Sequence, residues 1–375
     1  MNAGGLNKGP GMQVIHAIRL LVLVVAIMLH NQAAAFTVTF ISPGHQNEAF
    51  WLSAVRAMQA AADQLDIQLE VLSAERDPVQ MVKLVQAVTQ RRRKPDYLLL
   101  VNEKLAGPAM LSLADQAGIP CFLSFNPLTP AQLQTSGLPR QRLKYWLGSL
   151  TPDNAMAGSQ TMKALLDEAS RRFPPGTPLH VLMMAGDRST PASTLRIEGA
   201  RQILATTPNA TLTQLVYGEW ESKRAMQQGI WLLQRYPQIN LVWAANDEMA
   251  FGMEEAIRQS GKQAGKTVLL SAINNSPRAM QERRDDKLAA LAAGHFMTGA
   301  WSLVLLYDYH HGHDFASEGL QLHPTIFSTV SRQQAQRFLQ LFADNDYKGI
   351  RFRQFSKFAN PALQRYAFGF STLLN

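Results

Sequence analysis

The stretch "FTVTFISPGHQNEAFW", residues 36–51, joins two hydrophobic patterns. Phe36, Val38 and Phe40 alternate with Thr37 and Thr39, the period-two signature of a strand. From Trp51 the apolar positions change spacing: Trp51, Val55, Met58, Ala62 and Leu65 line one stripe of a helix. A strand that turns through Ser-Pro-Gly into a helix packed back on it is the first half of a βαβ unit, which implies a parallel sheet. Ligands of such sheets lie beyond the carboxyl ends of the strands. The turn is where Gly44, His45, Gln46, Phe50 and Trp51 supply a tight bend, a hydrogen-bonding amide and flat apolar faces.

Outward from this unit the same alternation repeats. "IQLEVL", "DYLLLV" and "IPCFLSF" read as further strands of one set, and "HVLMMA", "TLTQLVY", "NLVWAA" and "TVLLSAI" as a second. The fold class is therefore α/β: two doubly wound parallel-sheet lobes. Residues 126–154, rich in proline, break the rhythm and read as the passage between lobes. The rhythm breaks again near Gly294, where "MTGAWSLVLLYDY" forms a long apolar helical pattern and "PTIFSTV" another β-rich run, so the chain is expected to cross more than once. The expected division is a first lobe of 36–148 plus about 294–320, a second of 149–293 plus about 321–345, and an extension of 346–375. That extension carries Arg351, Arg353, Lys357 and Arg365 among aromatics and reads as an appendage or a partner surface.

The first 35 residues differ in kind. Lys8 and Arg19 accompany a polar leader, "LLVLVVAIML" comes next, and Ala33-x-Ala35 offers small residues. An apolar run this short falls below the ~20 residues that span a bilayer, so the segment reads as a cleavable signal peptide ending at Ala35, with a periplasmic destination. Its removal takes two cations and no acids, lowering the formal charge from +8 to +6. The "RRRK" of residues 91–94 ends a helical pattern, where cations complement the helix dipole, and is not read as a nucleic-acid patch. Cys121 is the only cysteine, so no internal disulfide is possible.

Polar residues recur at the strand ends: Gln46, Asn102, Asn126, Asp187 with Arg188, Asn246 with Asp247, and Asn274 with Asn275. Amides and carboxylates there suit a neutral polyhydroxylated ligand, with Phe50 and Trp51 against its apolar face; each could equally cap the helix that follows. Other motifs dissolve on inspection. "SGKQAGKT", residues 260–267, lacks the first glycine of a phosphate loop and precedes a strand instead of following one. "YDYHHGHD", residues 307–314, places His310 and His311 in different directions on a helix and reads as a polar helix end closed by Gly312, not a metal site. No nucleophile elbow, HExxH or zinc-spaced cysteines occur, so neither catalysis nor a cofactor is expected.

The leader, the two successive α/β lobes, "ANDEMAFG" after a strand and "RIEGARQ" in a helix together resemble the type I periplasmic binding proteins, over 36 to about 330. Within that superfamily the chain resembles the ribose- and galactose-binding branch, and "PGHQNEAFW" with "FNPLTP" is also similar to the periplasmic autoinducer-2 receptor. The resemblance implies a multi-crossover hinge and ligand contacts from Gln46, Trp51, Asn126, Arg196, Asn246 and Asp247; Phe50, Asn274 and His295 are expected as contacts beside them. Two positions depart from the receptor: Ile273 or Asn274 replaces its pocket tryptophan, and Gly294 or His295 an arginine that helps hold borate. The function that this resemblance implies is that of a periplasmic solute-binding protein, which takes a small sugar or sugar-like ligand and presents it to an ABC-type permease in the inner membrane. The alternative is a ligand sensor that signals to a membrane histidine kinase or cyclase. An enzyme using Asp187 or Asp247 with His295, and a sugar-responsive repressor, are the weaker readings; a repressor would need a helix-turn-helix where the apolar leader stands.

Overall fold

A computed structural model describes residues 35–374. The expected leader lies outside them except for Ala35. Two six-stranded sheets form the frame. The first contains β1 (Phe36–Ser42), β2 (Ile67–Ser73), β3 (Tyr97–Val101), β4 (Cys121–Ser124), β5 (Trp146–Leu150) and β11 (Gln321–Leu322), in the order β11-β5-β4-β3-β1-β2. The second contains β6 (Leu179–Ala185), β7 (Ala210–Tyr217), β8 (Leu241–Ala244), β9 (Leu269–Ile273), β10 (Ala290–Ala293) and β12 (Ser328–Thr329), in the order β12-β10-β9-β8-β6-β7. Strand β12 runs antiparallel to β10, while β6 to β10 pair in parallel.

Burial follows this order. The interior strands β3, β4, β8 and β9 are buried at every residue, as continuous apolar runs covered on both faces must be. The edge strands β2 and β7 are mostly half-exposed. Helices α1 (Ala49–Gln64), α2 (Pro78–Thr89), α3 (Gly107–Gln116) and α4 (Pro130–Ser136) belong to the first lobe. Helices α5 (Asn154–Arg172), α6 (Pro191–Ala205), α7 (Ser222–Arg235), α8 (Asp247–Gln259) and α9 (Pro277–Arg284) belong to the second. Their starts show why strand ends are rich in short polar residues. Asp77, Asp153, Asn246 and Ser276 each accept a backbone N–H at the first turn of α2, α5, α8 and α9, and Thr129 forms a reciprocal capping box with Gln132 at α4.

Three sequence expectations shift. Residues 126–154, read as a passage, contain α4 and the buried strand β5, so the first crossing comes after Leu150 and the boundary expected at 148 falls inside a strand. Residues 321–322 pair with β5 in the first sheet, so the third crossing comes at 323–327 and not before 321. "PTIFSTV" gives only the two-residue β12. The second crossing, at Gly294, keeps its expected place. Gly294 has φ +126°, and a Cβ there would come within 2.3 Å of the Ile326 carbonyl oxygen on the neighbouring crossing, so only glycine fits.

Helix α10 (Thr298–His310) is buried from Thr298 to Asp308, with no polar stripe. A helix that is apolar all round needs cover all round, and the C-terminal segment supplies it. After α11 (Arg332–Phe342) the chain returns to the first lobe, where Phe352, Phe355 and Phe368 pack on Trp301 at ring separations of 5.8, 4.5 and 5.1 Å. Buried Asp308 anchors this cover by accepting from the Ser356 hydroxyl, the backbone N–H groups of Lys357 and Phe358, and the Tyr366 hydroxyl. Arg353 pairs with Asp66 at 2.8 Å and His311 stacks on Phe358. The segment expected as an appendage is thus part of the first lobe's core, and two of its cations, Arg353 and Lys357, are paired with Asp66 and Glu318.

Removing the Asp308 acceptor would strand four donors under that cover. Asp308→Leu is expected to destabilise the chain by about 3 kcal/mol and to make 346–375 sensitive to protease at temperatures where the parent resists. Equal denaturation midpoints would refute the anchoring role.

Candidate functional site

The carboxyl ends of β1, β3 and β4 face those of β6, β8 and β9 across a cleft. Phe50, Trp51, Phe125, Asn126, Glu48, Arg76 and Glu103 line it from the first lobe. Asn154, Thr190, Arg196, Trp220, Asn246 and Asn274 line it from the second, and Pro152 and His295 from the crossings.

The aromatic wall grows from the opening stretch. Where β1 ends, α1 begins and delivers Phe50 and Trp51, whose rings meet edge to face at 5.0 Å; Phe125, just past β4, meets Trp51 at 5.0 Å and Phe50 at 6.1 Å. Behind them His295 is sandwiched between Phe50 and Phe327, 4.6 Å from each.

Arg196 holds the opposite wall. It lies on α6, which packs against α5 so closely that a Cβ on Gly158 would reach the Arg196 carbonyl oxygen at 2.0 Å, and one on Gly199 the Ala155 carbonyl oxygen at 1.8 Å. The close approach aims the guanidinium into the cleft. Its Nε donates to Asn154 Oδ1 at 2.9 Å and Nη1 to the Ala245 carbonyl at 2.7 Å. Nη2 makes no hydrogen bond, and no carboxylate lies within ion-pair distance, among the described residues. Burial pulls this guanidinium down to about 9, against the pull of Asp247 and Glu103, so it stays cationic at neutral pH. Burial and the nearby Arg196 push His295 well below its usual range, so the imidazole is neutral.

Three polar atoms in the cleft are buried without a partner among the described residues: Trp51 Nε1, Asn126 Oδ1 and His295 Nδ1. Orphaned groups of this kind are costly and uncommon. All three belong to residues that line the cleft.

Of the nine expected contact residues, Phe50, Trp51, Asn126, Arg196, Asn246, Asn274 and His295 line one cleft. Gln46 does not: it is exposed on the turn before α1, beside Glu75. Asp247 stands one layer back, where it accepts from Asn274 Nδ2 at 2.7 Å and from the backbone N–H groups of Glu248 and Ser276, and burial raises its carboxyl. The capping reading holds for Asn102, which bonds the Gly107 N–H, Pro127 and Gln132. Asp187 accepts from Ser189, Thr190 and the Trp220 indole, fixing that ring. Asn275 bonds Ser53 across the lobes instead of facing the cleft. Sequence reasoning missed Glu48, Arg76, Glu103, Asn154 and Trp220. Glu103 had a signal, since it directly follows a strand-end amide; Arg76 and Trp220 lie in loops whose aim only tertiary structure sets. Among the described residues no group of three His, Cys, Asp or Glu side chains could hold a metal ion, and no helix is long and apolar enough to cross a membrane.

Residues 38–313 match the family profile of the periplasmic binding protein domain. The ribose import binding protein RbsB of Escherichia coli is 26% identical over 251 residues, covering 66% of this chain and 75% of RbsB. The galactofuranose-binding protein YtfQ of the same organism is 24% identical over 249 residues, covering 65% and 73%. Among solved structures, a periplasmic sugar-binding protein from Pseudomonas fluorescens is 39% identical with a TM-score of 0.83, covering 91% of this chain and 100% of that one.

A neutral buried His295 makes stability fall with acid. Its folded pKa is depressed, so below the ordinary value of about 6.5 the unfolded chain binds the extra proton, at a cost of up to about 1.4 kcal/mol per pH unit. Against His295→Phe, which keeps a ring between Phe50 and Phe327, the parent is expected to hold a constant difference in unfolding free energy from pH 8 to 7 and to lose ground from pH 6.5 to 5. A difference constant across the whole range would show that the imidazole is not held neutral.

Proposed function

The chain belongs to the type I periplasmic binding proteins, and from that premise we propose that it captures a small neutral sugar or sugar-like molecule between its lobes and presents it to an inner-membrane ABC permease. Its family works by binding and not by catalysis. The observation that carries the reading is the set of unspent hydrogen-bonding groups in one cleft between aromatic faces. Arg196 Nη2 and Trp51 Nε1 lack acceptors, and Asn126 Oδ1 lacks a donor. A sugar supplies both kinds of partner on one small body, and its apolar C–H face fits against Phe50, Trp51 and Trp220. Relatives named for ribose and for galactofuranose support the ligand class. Export of the mature chain from 36 onward through the leader belongs to the same proposal.

The three crossings between lobes let binding become a change of shape, by hinge closure. The same change could be read by a membrane sensor kinase, and the likeness of "PGHQNEAFW" to a receptor's ligand turn favours that second reading. Copurification with a permease or with a kinase decides between them.

Thermal unfolding of the mature chain against pentoses, hexoses, polyols and furanosyl sugars tests the capture. Ligand at 100 times its dissociation constant adds about 2.7 kcal/mol of stability. One sugar is expected to raise the midpoint by several degrees, with the gain lost in Arg196→Met and Trp51→Ala. No gain from any member of the panel would overturn the sugar reading.

A further inference from the structure

The first-lobe wall of the cleft contains a charged arrangement that the strand-end pattern did not announce. Glu103 is 3% exposed. Its Oε1 accepts from Arg76 Nη1 at 2.7 Å and its Oε2 from Asn126 Nδ2 at 3.2 Å. The other side of the Arg76 guanidinium is held by both oxygens of Glu48. One cation is thus shared by two carboxylates, and burial raises the Glu103 carboxyl against the pull of Arg76. Both loops that build this wall adopt left-handed backbone at residues other than glycine: Glu75 and Arg76 after β2, Lys104 and Leu105 after β3.

This arrangement has an independent pointer to a ligand. Asn126 turns its amide nitrogen to Glu103 and leaves Oδ1, in a side chain 3% exposed, without a donor. Glu103 Oε2 receives one bond where a carboxylate oxygen accepts two. Two adjacent acceptors therefore wait on the first lobe, facing the donor-rich Arg196 on the second.

We propose that Glu103, oriented by Arg76, sets the specificity of the cleft: with Asn126 Oδ1 it receives two neighbouring hydroxyl donors of the ligand, selecting neutral vicinal diols over deoxy sugars and sugar acids. This rests on the sugar reading above. Arg76 is a positioning residue, since its fork fixes the carboxylate; a lysine would keep the charge and lose the fork. A hydroxyl bonded to a carboxylate is worth roughly 10- to 100-fold in affinity, and a ligand carboxylate at the same place meets like charge.

Titration calorimetry on the mature chain tests this with D-ribose and 2-deoxy-D-ribose, and with D-galactose, 2-deoxy-D-galactose, 3-deoxy-D-galactose and D-galacturonic acid. For the sugar that binds, Glu103→Gln is expected to weaken affinity about 10- to 100-fold. The penalty for deleting the engaged hydroxyl, and the penalty for the acid, should both shrink in that variant. Arg76→Lys should weaken the parent sugar while keeping its preference over the acid. Thermal midpoints without ligand verify that each variant is folded, and Glu103→Asp replaces Glu103→Gln if that one is not. Unchanged affinity and unchanged deoxy penalties in the Glu103 variant would overturn the specificity role alone. Failure of every sugar to bind the parent chain would overturn the sugar reading and this inference with it.

Discussion

A guanidinium sealed into the second lobe without a carboxylate against it constrains the rest of this structure. Taking a cation from water costs several kcal/mol after relaxation, and Arg196 recovers part of that from Asn154, the Ala245 carbonyl and the longer-range pull of Asp247. The remainder is left open toward the cleft. Holding such a group in place takes the α5–α6 approach allowed by Gly158 and Gly199, a flat ring at Trp220 fixed by Asp187, and a neutral instead of charged imidazole at His295.

The opposite lobe answers with acceptors. Asn126 and Glu103 present oxygen where Arg196 presents N–H, while Phe50, Trp51 and Phe125 exclude water between them. The polarity of the two walls is therefore complementary across a gap, which favours a ligand able to donate on one side and accept on the other. In the proposed hinge closure these groups would come within reach of one small molecule, with the crossings at 151–153, 294–295 and 323–327 as the hinge. The C-terminal segment ties into that region. The Tyr347 hydroxyl meets Ser53 of α1 at 2.7 Å and Asn275 past β9 at 3.4 Å, and the Phe370 N–H bonds the Ile326 carbonyl.

Most of the fold was legible because the strands of parallel sheets are short β-rich runs set between helical patterns, and β1 to β4 and β6 to β9 read correctly from period and composition. Strand β5 was not. "WLGSL" is short, contains glycine and comes after a stretch dense in proline, so its identity as a strand depends on burial between β4 and β11. The cover of α10 was hidden for a related reason: residues 346–375 have no regular period, and their packing relies on Asp308 and Trp301, far away in sequence. Within the site, residues whose aim follows from a strand end or a first helical turn were found, as with Phe50, Trp51, Asn126 and Asn274. Those delivered by strained loops, Arg76 above all, were not. Gln46 shows the reverse error, since a turn residue with suitable chemistry can point to solvent.

The claim that a ligand completes the hydrogen bonding of Arg196 can be read directly from that side chain. In a nitrogen-15 spectrum of the chain from residue 36, the Arg196 Nη2 resonance, the one without an acceptor, is identified by its loss in Arg196→Lys. Saturation with the sugar that most stabilises the protein should shift this resonance strongly and slow its exchange with water. A resonance that stays in place while the same sugar raises thermal stability would show that the ligand binds elsewhere and would contradict the account.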